Sequence, residues 1–178
     1  MSSSIKKACD CGKDIDCVKC RSKVQLPKPT RFFCGKGGNG AFVNPDDPAP
    51  IVGRVIVDAR DICSPTVSIE YSSIVSFLAT DDGLSNINDE DGAQGRLRFS
   101  LFRTCNDNQP QLLNNWIYEL FQIEDSNEGM RFIDSFSFNF CDFLSCPKCC
   151  EYFVEVSIEN LLTADIVVNN AHMTALVQ

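Results

Sequence analysis

The chemistry open to this chain lies in sulfur. Eleven of its 178 residues are cysteine, and it has a single histidine, His172. Four cysteines crowd one short segment, Cys9, Cys11, Cys17 and Cys20, and four more another, Cys141, Cys146, Cys149 and Cys150. Cys34, Cys63 and Cys105 are scattered between them. An odd total leaves at least one thiol over from any pairing within the chain. Such a thiol points to a bond between chains, a free thiol or a metal ligand. Bonds between chains are the expected principal use.

The N-terminal cluster, Cys9-x-Cys11-x5-Cys17-x2-Cys20, has enough thiolates for a tetrahedral zinc site. Structural zinc sites usually join two C-x2-C knuckles across a longer loop, and this spacing does not. No metal is therefore expected, and a zinc-binding or redox-sensing module is the alternative reading. The second cluster lies between two strand-like segments. It reads as a hairpin stapled once, Cys141 to Cys149 or Cys150. Its functional reading adds an outward thiol that receives an arm from another chain. If Cys150 begins a strand, Cys149 and Cys150 point to opposite faces and do not share a partner.

The remaining motifs carry little. Cys34-Gly-Lys-Gly-Gly-Asn-Gly40 lacks the G-x4-G-K-[ST] spacing of a phosphate loop and reads as a flexible turn. The acidic stretches Asp81–Gly83 and Asn88–Gly92 miss the Gly and Glu positions of an EF-hand and read as a solvated hairpin loop. His172 has no Ser or Cys motif beside it and reads as a structural or surface histidine. No paired acid and base, nucleophile elbow or cofactor loop is visible, so neither an enzyme nor a cofactor is expected.

Bulk properties narrow the partners. A formal net charge of −8 argues against nucleic acid, whose phosphates need clustered Lys and Arg. It argues equally against a basic membrane-binding patch. No stretch approaches the roughly 20 apolar residues of a membrane span. The start, Met1 to Cys9, has no apolar h-region, so no signal peptide is expected.

Two units must position the cysteines. Residues 1–30 are polar and end in Leu26-Pro-Lys-Pro-Thr30, where Pro27 and Pro29 favour an extended strut. They read as a connector arm. Residues 31–178 form the body, in which period-two alternation dominates. Val67, Ile69, Tyr71, Val75 and Phe77 oppose Ser68, Glu70 and Ser72 along Thr66–Ala79. The same alternation marks Arg96–Arg103, Phe132–Phe140 and Glu151–Glu159. Shorter candidates are Phe32–Cys34, Ile51–Ala59, Trp116–Ile123 and Ile166–Val177. About eight strands with no amphipathic helix predict an all-β two-sheet sandwich or jelly roll.

One group of motifs carries a resemblance: the Cys-Gly-x-Gly-Gly turn, Cys63-Ser-Pro-Thr-Val-Ser-Ile-Glu-Tyr, Phe99-x-Leu-Phe-Arg-x-Cys105, Trp116, and Phe136-Ser-Phe-Asn-Phe-Cys141 followed by Cys146-x2-Cys-Cys-x-Tyr-x-Val-Glu-Val156. The chain resembles a cysteine-rich domain-of-unknown-function family of spore-forming anaerobes. It is similar in plan to endospore appendage pilins. The resemblance implies a jelly roll whose subunits join by sheet-edge contacts into a helical fibre. It implies that arm cysteines bond to cysteines in the bodies of other subunits. Cys9 and Cys11 match the paired connector cysteines, while Cys17, Cys20 and the longer arm depart from that pattern. The acceptors or staples would lie among Cys34, Cys63, Cys105, Cys141, Cys146, Cys149 and Cys150. The partners implied are copies of this chain, with a spore-coat anchor or tip protein as further candidates. The implied location is the spore surface, reached by assembly in the mother cell. A spore-coat or fibre-anchoring protein is a variant of the same reading.

Overall fold

The computed structural model describes residues 30–44, 46–79, 93–106, 108–121, 131–145, 148–162 and 164–178. Among them lie ten strands and no helix: β1 (Arg31–Cys34), β2 (Lys36–Gly37), β3 (Gly40–Phe42), β4 (Ile51–Asp58), β5 (Thr66–Ala79), β6 (Gln94–Cys105), β7 (Gln111–Phe121), β8 (Arg131–Phe143), β9 (Cys149–Leu162) and β10 (Ala164–Val177). One sheet has the order β1-β10-β5-β8, with β3 also pairing β10; the other has the order β2-β4-β9-β6-β7. All described pairings are antiparallel. From β4 onward the chain changes sheet at every step except β6 to β7, which pair with each other. This winding is a jelly roll, as the alternating sequence predicts.

Side chains follow that alternation into the core. Val67, Ile69, Tyr71, Val75 and Phe77 of β5 meet Leu97, Phe99 and Leu101 of β6 and Tyr152, Val154 and Val156 of β9, all buried. Each such aliphatic or aromatic side chain contributes about 1.5–3 kcal/mol by leaving water. Aromatic rings join the sheets on the β7–β8 side. Trp116 stacks on Phe138 at 3.7 Å between centroids, and Phe99 on Phe136 at 4.1 Å.

The two strands beyond the predicted eight come from the glycine segment, which is not the flexible turn its composition suggests. It is a strap between the sheets. Gly35 N–H donates to Met173 O at 2.8 Å on β10, while Gly38 N–H donates to Val52 O at 2.7 Å on β4. A Cβ on Gly37 would lie 1.6 Å from the Ala171 carbonyl oxygen, so only glycine allows the crossing.

A second irregularity keeps β10 amphipathic. Its register to β5 slips between Asn169 and His172, and Asn170 has φ 50°. The extra residue is a β-bulge that reverses the side-chain parity. Ile166 and Val168 before it and Met173, Ala175 and Val177 after it therefore all face the core.

Candidate functional site

β6 ends and β9 begins at one end of the sandwich, and their register sets Cys105 directly opposite Cys150. The two form a disulfide with a Cα–Cα separation of 4.2 Å. This corrects the expected staple from Cys141 to Cys149 or Cys150. β8 and β9 are consecutive in sequence but belong to different sheets, so no ladder brings Cys141 beside β9. The neighbour of β9 is β6, which supplies Cys105. Cys149 and Cys63 are disulfide-bonded as well. Cys149 and Cys150 accordingly serve separate bonds, and both are buried.

Two cysteines in the described body are free and exposed, Cys34 and Cys141. Cys34 closes β1, at one edge of its sheet; Cys141 lies on β8, at the other. Both face outward. Cys34 shares its row with Thr174, Glu70 and Asn139, and Cys141 shares the next row with Ser68, Leu176 and Phe32. Three strand spacings separate the edges, on the order of 14 Å. A disulfide spans at most about 6.8 Å between Cα atoms, so these thiols cannot pair with each other within one chain.

The outer faces of the two sheets differ in charge. On the β9–β6 side, Arg54 pairs with Glu151 at 3.1 Å, and Arg96 and Arg98 both pair with Glu159. Among the described residues, the face bearing the free thiols has no such ladder. It holds a shallow cleft of about 460 Å³ lined by small and polar side chains, with Phe32 at its rim and the exposed His172 within it. His172 is thus the surface histidine its sequence context implies.

Beside the Cys105–Cys150 bond lies a polar clamp that the sequence reading missed. Asp142 of β8 accepts a hydrogen bond from Arg103 Nη1 at 2.6 Å and from the Tyr152 hydroxyl at 2.8 Å. Arg103 also donates to Gln111 Oε1 at 2.7 Å. Burial first, and the Asp142 charge second, push the Tyr152 phenol far above its ordinary pKa. A signal was present, because Asp142 continues the inward parity of Phe136, Phe138 and Phe140. A carboxylate on a core-facing position must find a partner.

Among the described residues, no three His, Cys, Asp or Glu side chains are placed to hold a metal ion. Cys9, Cys11, Cys17, Cys20 and Cys146, the strut residues Pro27 and Pro29, and the two acidic stretches lie outside the described residues.

The family described as a domain of unknown function, DUF4489, matches residues 29–178. No curated protein matches the chain. Among solved structures it is similar to the Eiger TNF of S. frugiperda, at 15% identity over 86% of this chain and 93% of that one, with a TM-score of 0.38. The infectious bursal disease virus Gx strain structure is similar at 8% identity over 85% of this chain and 36% of that one, TM-score 0.35. The CBM22-1 xylan-binding domain of Paenibacillus barcinonensis Xyn10C is similar at 11% identity over 79% and 83%, TM-score 0.27.

Proposed function

We propose that this chain, which belongs to the DUF4489 family, is a structural subunit that joins copies of itself into a disulfide-cross-linked fibre. One observation carries the reading. The body spends Cys63, Cys105, Cys149 and Cys150 on disulfides yet leaves Cys34 and Cys141 exposed, at opposite edges of one sheet. Thiols so placed serve other chains. The sheets also end in long strands: β8 has 13 residues and β7 has 11, and each pairs on one side only among the described residues. Open edges of that length are templates for adding a strand. Contacts between different edges build filaments wherever the rotation between copies does not close into a ring.

The arm supplies a second covalent tie in this reading. Its four cysteines precede a proline strut, and about 30 extended residues reach across a neighbouring domain. The likeness to a cysteine-rich family of spore formers, and in plan to endospore appendage pilins, suggests the spore surface as the setting. Each bond forms when two thiols give up two protons and two electrons to dioxygen or to a small disulfide.

The test is direct. The full chain, oxidised and boiled in detergent, is expected to stay in large species that collapse to monomer only with reductant. Negative-stain microscopy of the oxidised protein is expected to show fibres. A single monomer band without reductant would overturn the reading.

A further inference from the structure

Two three-residue stretches of edge strand in this molecule are complementary. β1 carries Phe32-Phe33-Cys34 and β8 carries Cys141-Asp142-Phe143. In each, a phenylalanine and a free cysteine stand two residues apart on the outer face. Phe143 and Phe32 are the two most exposed large apolar side chains among the described residues, at 76% and 63%. The order is reversed between the strands, which is what antiparallel pairing needs. β1 and β8 are the two edges of one antiparallel sheet, and the outward side of each is unpaired among the described residues.

The geometry points to a contact between two copies of this chain in which β1 of one pairs antiparallel with the free edge of β8 of the other. This rests on the fibre reading and names the surface that joins the bodies. In a single register Cys34 lies opposite Cys141 and Phe32 opposite Phe143, all on the same face. Alternation of strand direction along β1-β10-β5-β8 means that a neighbouring copy, set beside the first in the same orientation, presents β1 antiparallel to β8.

Directly opposed residues in such a ladder have Cα atoms about 4.5–5.5 Å apart, within the reach of a disulfide. The molecule already contains such a bond, since Cys105 and Cys150 face each other across β6 and β9 with Cα atoms 4.2 Å apart. Sγ–Sγ bond formation releases two protons and passes two electrons to a small disulfide, which leaves as two thiols.

The register also fixes a step. Within one subunit the row of Cys34 ends at Asn139, two residues short of Cys141. Seating Cys34 on Cys141 therefore shifts each copy by one two-residue row, about 7 Å along the strands. Where that offset leaves a net rise along the assembly axis, the repeated step does not close and continues as a helical array.

The experiment uses the full chain, purified reduced, oxidised with glutathione disulfide and resolved on non-reducing denaturing gels. With all four arm cysteines replaced (C9S/C11S/C17S/C20S), a ladder of oligomers is expected to persist. Its non-reducing peptide map should contain a peptide pair joined through Cys34 and Cys141. C34S or C141S, each added to that background, should abolish this linkage, and an equimolar mixture of the two should give a dimer that cannot extend. Circular dichroism of each variant checks that the exposed thiol-to-hydroxyl change leaves the fold intact. A wild-type ladder that disappears when the arm cysteines are replaced, or a ladder in that background that survives C34S, overturns this contact and leaves the fibre reading standing. No ladder from the wild type overturns both.

Discussion

Replacing Asp142 with alanine tests whether the clamp between the sheets bears on stability. The carboxylate accepts from Arg103 and from Tyr152, and the Asp142 and Arg103 side chains are only 10% and 18% exposed. Removing one member of a buried ion pair costs about 3–5 kcal/mol, because the other charge stays desolvated. Arg103 keeps Gln111 and some solvent, which sets the expected loss at the lower end, about 3 kcal/mol. Tyr152→Phe removes one hydrogen bond to a charged group and should cost about 1.5–3 kcal/mol. Adding Tyr152→Phe to Asp142→Ala should then cost much less than it does alone, with a coupling of at least ~1 kcal/mol. Urea unfolding followed by fluorescence of Trp116, the sole tryptophan, provides the assay. Trp116 stacks on Phe138 across the sheets, so its signal reports their separation. With an m-value of about 1–3 kcal/mol/M, the Asp142→Ala midpoint should fall by at least ~1 M. A loss under about 1 kcal/mol, or strict additivity of the two changes, would refute the clamp.

Further expectations follow from single features. Cys105→Ala with Cys150→Ala opens a link between residues 45 apart in sequence and should destabilise by about 4 kcal/mol on the chain-entropy scale, read by the same urea titration. Gly37→Ala places a methyl on the Ala171 backbone and should cost more than ~3 kcal/mol, visible as a sharply lowered melting temperature or insoluble protein. Tyr71→Phe removes a buried hydroxyl whose contact with the Ser73 side chain falls short of a full hydrogen bond, and should stabilise by about 1 kcal/mol. Burial also pushes the Tyr71 phenol up to about 12, above its unfolded value near 10. The folded protein therefore holds this proton longer than the unfolded chain, and the stabilisation present below pH 10 is lost as pH rises through about 12. Tyr71→Phe should make alkaline unfolding less steep over that window.

The long strands were legible because one face of each is apolar. Thr66–Ala79 has the bounds its alternation predicts, and β6, β8 and β9 extend their predicted cores by a few residues. Local periodicity does not report which strands are neighbours. Cys141 and Cys149 look like a stapled hairpin in sequence, yet a jelly roll sends β8 and β9 to different sheets. The glycine segment was misread for a related reason. Its residues fit a mobile turn by composition, whereas their small size serves the crossing over Ala171, a residue far along the chain. The Asn169-Asn170 pair signals a local break, but that the break is a bulge restoring the inward face of β10 depends on the register with β5. The free thiols could be named among eleven candidates, but telling Cys34 and Cys141 from Cys105 and Cys150 required the ladder.

The fastenings of the sandwich are unevenly placed. The Cys105–Cys150 bond and the Arg103–Asp142–Tyr152 clamp sit together at one end, whereas at the other end Ala79, Ala93 and Ala164 bury only small side chains, and the polar ties of Gln94 to Glu119 and Asn160 are exposed and stay within one sheet. Opening under load or thermal fluctuation should start at the alanine end and halt at the clamp. Amides near Cys150 should then exchange with deuterium only through global unfolding, and those near Ala164 through cheaper local excursions. A sandwich built this way would yield at one end while the other keeps its strands fastened.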